Sequence, residues 1–344
     1  MKQFTRILSA ILAMICSSIL LASNKPKSVN VLTWWGYLDD PKISALVKEK
    51  CGANISFDEY YSNDEFFNRF EENPNQYDII IFSQIMYGVI GKQIASNNSI
   101  LNTLSGGYVN FIKTHYKNNQ FPNNVAYFTM SVMGFLWNPV NIELSPNDNV
   151  IDAFKKGGSN DVVLIDDPME VNNVMKLAFN DKSNLPILSV ENMRKMTQDT
   201  NVYITDDYSK IYDSKNFAFS YLWSGDAFYD MQKQNYKYKF LVNQKSSYIC
   251  PDLIAQLKDN TTTACVAKVL GSRQVLNIVQ NSDYYFSPYG DSSEINDKEF
   301  QSFYTSLFNM MPNMRWIKPV SLDHFEQMTK TWKVIKLSKN SGKN

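Results

Sequence analysis

The chain has 344 residues, of which 44% are hydrophobic and 14% aromatic, and its 34 Lys and Arg equal its 34 Asp and Glu. That length is more than one hydrophobic core usually serves, so two domains are expected. The even charge provides no basic field for a nucleic acid, which is therefore not an expected partner. The two histidines, His115 and His324, lie too far apart in sequence for a zinc motif.

Residues 1–23 have the pattern of a secretory signal peptide. Lys2 and Arg6 precede an apolar run at 7–21, and small residues follow it. The run of about 15 residues is shorter than the roughly 20 that span a bilayer, so a cleaved leader and a periplasmic protein are expected. Cys16 follows larger residues than a lipoprotein signal uses, so lipid attachment is not expected.

Removal of residues 1–23 takes away two basic and no acidic residues, so 32 Lys and Arg face 34 Asp and Glu and the net charge is about −2. Three cysteines remain, Cys51, Cys250 and Cys265. In an oxidising compartment one pair can bridge, and Cys250 with Cys265 is the pair nearest in sequence. An odd count is not a disulfide framework, and the pairing stays open.

The first third of the chain predicts alternating strands and helices. Asp40 can cap a helix that begins at Pro41 and ends near Gly52, and Ser62 with Glu65 has the spacing of a capping box. The predicted segments are, in order, a strand at 29–32, a helix at 41–51, a strand at 55–57, a helix after Ser62 and a buried strand at 77–82. This order predicts a parallel sheet with right-handed crossovers.

Aromatic residues follow the first predicted strand where the sheet meets its ligands. In open parallel sheets, ligands bind beyond the carboxyl ends of the strands. Trp34, Trp35 and Tyr37 lie at that edge, and Ser83 follows the third strand at the same edge. Side chains alternate along an extended segment, which argues against both Trp34 and Trp35 pointing inward.

Six segments resemble, in order and spacing, the periplasmic polyamine-binding proteins, which are the spermidine/putrescine-binding components of ABC importers. They are NVLTWWGYLDD, YDIIIFSQ, VAYFTMSVMGFLWNP, VLIDDPMEVNNV, FSYLWSGDAF and TKTWKVIK. The resemblance runs from about residue 29 to 337. It implies an α/β chain with the type II periplasmic binding-protein fold, in which two α/β lobes enclose a ligand cleft. By this analogy the first lobe takes residues 29–135 plus 249–298, and the second takes 136–248 plus 299–344.

The resemblance also implies a set of ligand-binding residues. A linear polyamine carries ammonium groups along a CH₂ chain, so its site needs carboxylates for the charges and aromatic walls for the chain. The implied aromatic walls are Trp34, Tyr37, Trp223 and Tyr285, the implied acids are Asp167 and Glu170, and the implied serine is Ser83. Two further candidates, Tyr248 and Asp252, lie near the second segment that crosses between the lobes.

Some of these residues have a purely structural interpretation as well. Asp167, Pro168 and Glu170 have the spacing of the N-cap, first and third positions of a helix. The helix-cap role and the ligand-binding role are compatible, since a helix N-terminus favours the ionised carboxylate that an ammonium needs. Trp34 can equally be a core residue, since large aromatics are mostly buried.

This sequence departs from the family at positions that bear on selectivity. Ile85 stands where spermidine binders tend to have an aromatic residue. Trp35 and Gly36 stand where the family has smaller polar and acidic residues. The sequence therefore leaves open the choice between putrescine, spermidine and another amine.

The expected function is that of a solute-binding component of an ABC importer. A monomer without a cofactor captures a polyamine in the cleft between the lobes and delivers it to an inner-membrane ABC permease. The alternative is a protein of the same fold that binds ferric ion or another small cation, prompted by the adjacent pairs Tyr60–Tyr61 and Tyr284–Tyr285.

An enzyme is the third class considered. Asp166, Asp167 and Glu170 could be read as the carboxylate pair of a glycoside hydrolase. The sequence has no nucleophile elbow, metal-ligand cluster or phosphate loop, so catalysis is not expected.

Overall fold

The computed structural model describes residues 27–340, except Ala95 and Asp199. The predicted signal peptide and the question of lipid attachment at Cys16 lie outside these residues. Within 27–340, no helix combines the length and the apolar character that a membrane span requires.

The described residues form ten strands and thirteen α-helices, numbered in chain order. The strands are β1 Lys27–Trp34, β2 Ala53–Tyr60, β3 Ile79–Ser83, β4 Val125–Trp137, β5 Asp161–Leu164, β6 Asn201–Ile204, β7 Phe217–Trp223, β8 Lys239–Leu241, β9 Tyr248–Gln256 and β10 Arg315–Trp316. The helices are α1 Pro41–Cys51, α2 Asn63–Glu72, α3 Tyr87–Ile90, α4 Asn110–Asn118, α5 Val150–Gly157, α6 Pro168–Ala178, α7 Val190–Thr197, α8 Ser209–Tyr212, α9 Ser224–Lys233, α10 Thr261–Leu270, α11 Arg273–Asp283, α12 Lys298–Met310 and α13 Leu322–Asn340.

The first third has the predicted β-α-β-α-β order. Strand β1 pairs in parallel with β2 on one side and with β3 on the other. The first strand extends to 27–34 and the second to 53–60, so both are longer than their apolar cores predicted. The parallel sheet inferred from the sequence is therefore confirmed.

Local capping explains where the first helices begin and end. Asp40 accepts a hydrogen bond from the Lys42 N–H at the start of α1, and Gly52 ends that helix with φ at 61°. A positive φ costs glycine little because it has no Cβ. At the start of α2, the Ser62 hydroxyl accepts from the Glu65 N–H, which is one half of the predicted capping box. The Glu65 carboxylate accepts from the Tyr61 N–H over 2.9 Å instead of the Ser62 N–H, so the reciprocal half is not formed.

Eight of the ten strands form one path, β2-β1-β3-β9-β4-β7-β5-β6, while β8 pairs with β4 and β10 pairs with β9. We call β2, β1, β3 and β9 the first half-sheet and β7, β5 and β6 the second half-sheet. Strand β4 belongs to both, because residues 125–132 pair with β9 and residues 133–137 pair with β7. We propose that the two half-sheets are the centres of the two predicted lobes.

One disulfide joins Cys51 to Cys265, and Cys250 is free and buried. The pair nearest in sequence, Cys250 with Cys265, is therefore not the bridged pair. Cys250 lies within β9, whereas Cys265 lies on α10, which packs against α1 and its last residue, Cys51. Tertiary packing of two helices decides the pairing, and sequence distance does not.

Candidate ligand-binding site

The carboxyl ends of the two sets of parallel strands meet at one place. Trp34 ends β1 and Ser83 ends β3 in the first half-sheet. In the second half-sheet, β5 runs parallel to β7 and leads to α6, while Trp223 ends β7. These are the edges at which parallel sheets bind ligands.

Asp252 is the centre of the first half of the site. It lies on β9 opposite Ser83 in the strand register. Oδ1 accepts a hydrogen bond from Trp34 Nε1 over 3.2 Å, and Oδ2 accepts from the Tyr37 hydroxyl over 2.6 Å and from Thr129 Oγ1 over 2.9 Å. Three donors thus hold a carboxylate that is only 5% exposed.

Asp167 and Glu170 form the acidic pair of the second half. Asp167 caps α6, with Oδ1 accepting from the N–H groups of Met169 and Glu170 over 2.8 and 3.0 Å. Asp167 Oδ2 accepts from Asn63 Nδ2 over 2.8 Å. The predicted helix cap is therefore confirmed, and the same carboxylate also contacts α2 of the first half.

A chain of polar contacts connects Glu170 to the first half-sheet. The Tyr248 hydroxyl donates to Glu170 Oε2, and the Cys250 thiol donates to Oε1 over 3.8 Å. Cys250 Sγ also lies 3.2 Å from Ser83 Oγ. Burial, and then the negative charges of Glu170 and Asp252, raise the pKa of Cys250, so it remains a neutral thiol.

Four aromatic rings surround these acids. The rings of Trp34 and Trp223 lie edge to face with centroids 5.8 Å apart, and Tyr285 lies edge to face with Tyr37 at 5.1 Å. The indole Nε1 of Trp223 is buried and has no hydrogen-bond partner among the described residues. Of the two adjacent tryptophans, Trp34 is 9% exposed and Trp35 is 55% exposed.

All nine sequence-predicted residues thus lie in one connected cluster: Trp34, Tyr37, Ser83, Asp167, Glu170, Trp223, Tyr248, Asp252 and Tyr285. They come from strands of both half-sheets, from the start of α6, and from the loops after β1 and α11. The cluster brings together the residue types that were assigned to a polyamine site.

The three carboxylates of the cluster have no cationic partner among the described residues. Burial raises the pKa of Asp167 to about 7 and that of Asp252 to about 6. Burial, and then repulsion from Asp167, raise the pKa of Glu170 to about 8. Withdrawal from water disfavours the charged form, so these acids keep protons at a pH where exposed carboxyls have lost them.

Three residues of the cluster were not predicted. Thr129 binds Asp252, Asn63 binds Asp167, and Cys250 contacts Glu170. Thr129 could have been found, because it is a polar residue within the apolar strand β4. Asn63 and Cys250 carry no comparable signal, since only the tertiary fold brings them to these acids.

Residues behind the two alternative functions have structural partners of their own, except Tyr285, which lies in the cluster. Asp166 is held by Lys336 Nζ at 2.9 Å and by Trp332 Nε1 at 2.6 Å, so α13 engages it. The Tyr60 hydroxyl donates to the Ile81 carbonyl over 2.7 Å, whereas Tyr61 is 61% exposed. In the described part of the chain, no three His, Cys, Asp or Glu side chains gather to hold a metal ion.

The sequence matches no protein-family model and no curated protein. Solved structures match it closely in fold. PotD from Streptococcus pneumoniae, a spermidine/putrescine ABC transporter substrate-binding protein, matches at a TM-score of 0.70 and 15% identity, over 91% of this chain and 99% of that one. The chain has a periplasmic binding-protein fold.

Further solved structures match the chain in fold, and some of them are named for other ligands. The Tp0655 (TpPotD) lipoprotein of Treponema pallidum matches at a TM-score of 0.70 and 10% identity, over 89% of this chain and 99% of that one. Iron-bound HitA from Pseudomonas aeruginosa matches at a TM-score of 0.64 and 9% identity, over 90% of this chain and 99% of that one. A periplasmic thiamin binding protein also matches, so the fold by itself leaves the ligand open.

Proposed function

We propose that this chain is the solute-binding component of an ABC importer and that it captures a polyamine, putrescine or spermidine, between its two half-sheets. It acts in the periplasm as a monomer, performs no catalysis, and delivers its ligand to a membrane permease. The nine residues of the cluster bind the ligand.

The supporting observation is the set of three buried carboxylates without a cation. Asp167, Glu170 and Asp252 are 3%, 0% and 5% exposed, and none has a basic partner among the described residues. Buried charges in proteins are paired, since an isolated one is costly. A ligand with several ammonium groups would supply the missing pairs and favour the ionised acids.

The placement of the acids suits a long cation better than a compact one. Asp252 belongs to β9 of the first half-sheet, whereas Asp167 and Glu170 begin α6 beyond the second. A ligand with charges at both ends contacts both groups, and Trp34, Trp223 and the other rings offer faces to the CH₂ chain between them. Each cation–π contact contributes about 0.5–2 kcal/mol.

Contacts to both halves also provide a reason for closure. A ligand shifts a conformational equilibrium only by its difference in affinity for the two states. A polyamine that bridges Asp252 and Glu170 loses half of its contacts when the halves separate, so it favours the arrangement in which Trp34 meets Trp223. This arrangement is the one that a permease would recognise.

The first experiment is a thermal-shift screen of the chain without residues 1–23. The panel contains putrescine, spermidine, spermine, thiamine, amino acids and Fe³⁺. A ligand that binds only the folded state raises the melting temperature, by an amount that grows with its concentration over Kd. We expect putrescine or spermidine to produce the largest rise. A larger rise with Fe³⁺, together with a visible charge-transfer band, would favour the iron alternative.

A further inference from the structure

A basic groove lies away from the acidic cluster. It is a groove of about 720 Å³ between α4, the loop after α6 and the segment that joins β10 to α13. Its ten lining residues include Arg315, Lys318 and both histidines of the protein, His115 and His324, and none of the ten carries a carboxylate. The chain as a whole has equal numbers of acids and bases, so this local excess of positive charge is distinctive.

The two cations of the groove use neutral partners. Arg315 Nη1 donates to the Asp181 carbonyl oxygen over 3.2 Å, and Lys318 Nζ donates to Asn184 Oδ1 over 3.2 Å. Neither side chain forms an ion pair among the described residues. A guanidinium has five N–H donors and an ammonium three, so both keep donors for a ligand.

A third cation adds to the positive potential. Lys176 Nζ donates to the Ser183 carbonyl oxygen over 2.9 Å, within the same loop. Burial lowers the pKa of Lys176, and repulsion by Arg315 and Lys318 lowers it further against the attraction of Asp181. The Asp181 carboxylate in this loop offsets one of the three positive charges, so a net positive charge remains that an anion in the groove would neutralise.

The hydrogen bonds around His115 indicate which ring nitrogen carries the proton and can donate to a ligand. The Tyr127 hydroxyl accepts from Asn119 Nδ2 over 3.1 Å, so its own proton is free to go to His115 Nδ1 at 2.7 Å. Burial raises the pKa of Tyr127 and lowers that of His115 to about 4, so near neutral pH the imidazole is neutral with its proton on Nε2. His115 therefore brings an N–H donor, and its ring stacks on Trp316 with centroids 3.8 Å apart.

The first turn of α13 supplies further positive character. Ser321 precedes this 19-residue helix and accepts from the His324 N–H over 3.3 Å, and both residues line the groove. The N-terminus of a helix carries a partial positive charge and free N–H groups. Asp323 lies in the same turn, but it is exposed and does not line the groove.

We propose that this groove binds a phosphate group. Donors from three segments converge there, and a tetrahedral phosphate with three or more oxygens can accept from all of them, whereas a carboxylate offers two oxygens. The phosphate can belong to a free anion or to a phospholipid headgroup. This proposal is independent of the polyamine function, since it uses none of the nine residues of the acidic cluster.

The two histidines make a direct test possible in the unmodified protein. Because both line the groove, imidazole NMR signals of a chain without a histidine tag report on this site alone. Titration with inorganic phosphate at constant pH is expected to shift the signals of His115 and His324 until they saturate. Sodium chloride at equal ionic strength is expected to leave them in place. Binding of free phosphate is overturned if phosphate causes no shifts. It is also overturned if the shifts do not saturate and sodium chloride causes shifts of the same size.

Charge variants locate the binding. Arg315→Gln and Lys318→Gln are expected to weaken phosphate binding by about tenfold or more, as for the loss of a charge-assisted hydrogen bond. Lys298→Gln, which removes an exposed charge on α12, is the matched control and is expected to change nothing. Unchanged affinity in both groove variants contradicts the proposal. Lys318 is exposed, so its variant keeps the test valid if Arg315→Gln fails to fold.

Cosedimentation with vesicles distinguishes the two sources of phosphate. A lipid headgroup predicts binding to phosphatidylglycerol vesicles, reduced in Lys318→Gln, and none to phosphatidylcholine vesicles. Saturable imidazole shifts without cosedimentation assign the site to a free phosphate. The absence of both results overturns the proposal.

Discussion

The indole rings of Trp34 and Trp223 meet edge to face, with their centroids 5.8 Å apart. Trp34 ends β1 of the first half-sheet and Trp223 ends β7 of the second, so this contact spans the two halves. The neighbouring Trp35 is 55% exposed and stacks on Tyr61 instead. Two adjacent tryptophans thus have different surroundings, which allows a matched comparison.

Replacement of Trp223 is expected to weaken polyamine binding. In Trp223→Ala the ligand loses an aromatic face beside Glu170, and we expect spermidine affinity to fall by about tenfold to thirtyfold, as for one desolvated cation–π contact. Trp35→Ala is the control and is expected to retain the wild-type affinity. Isothermal titration calorimetry measures both. Equal affinities in the two variants would remove Trp223 from the site.

Removal of the Asp252 charge is expected to have a larger effect. Asp252→Asn keeps the shape that Trp34 and Tyr37 contact but offers no charge to an ammonium group. We expect spermidine to bind about 10-fold to 100-fold more weakly, as for a lost hydrogen bond to a charged group. Asp213→Asn neutralises an exposed aspartate and is expected to bind normally. A wild-type affinity in Asp252→Asn would contradict the role of this carboxylate.

The stability of the ligand-free protein is expected to depend on Glu170 in a pH-dependent way. Its pKa rises on folding from 4.5 to about 8, so the folded state binds the proton more tightly. Its contribution is complete below about pH 4.5 and declines as the pH rises toward about 8. Glu170→Gln cannot ionise, so the melting temperature of this variant minus that of the wild type should increase between about pH 4.5 and about pH 8.

Thermal unfolding of the two proteins at several pH values measures that gain. Glu143→Gln, at an exposed position, is the control and should follow the wild type. A constant difference between Glu170→Gln and the wild type would mean that Glu170 ionises normally in the folded protein.

The cysteine pairing can be counted directly in the chain without residues 1–23. We expect one reactive thiol in denaturant before reduction, from Cys250, and three after it. The double replacement Cys51→Ser with Cys265→Ser is expected to lower the free energy of unfolding by about 2–5 kcal/mol, because it opens a long loop. Three free thiols before reduction would contradict the bridge.

Local signals in the sequence predicted the beginning of the fold well. The helix caps at Asp40 and Asp167 and the helix end at Gly52 each depend only on residues a few positions away in the sequence. Short-range patterns of this kind are visible in a single sequence.

Features that depend on distant residues were not predictable in the same way. The bridge from Cys51 to Cys265 spans 214 residues, and the hydrogen bond from Asn63 to Asp167 spans 104. Neither residue type nor spacing indicates such a contact. The resemblance to polyamine-binding proteins identified the nine candidate residues because it carries the tertiary arrangement that the local patterns lack.

Calorimetric titration of the wild-type protein with spermidine, repeated in two buffers that differ in ionisation enthalpy, is the most direct test of the central claim. With pKa values of about 8 and about 7, Glu170 is mostly protonated and Asp167 is about half protonated at pH 7, whereas Asp252, with a pKa of about 6, is mostly ionised. A bound cation favours the ionised forms, so Glu170 and Asp167 release protons on binding. We predict saturable binding whose apparent enthalpy differs between the buffers because protons are released. The absence of saturable binding by spermidine and by putrescine would contradict the account, and so would binding without proton release.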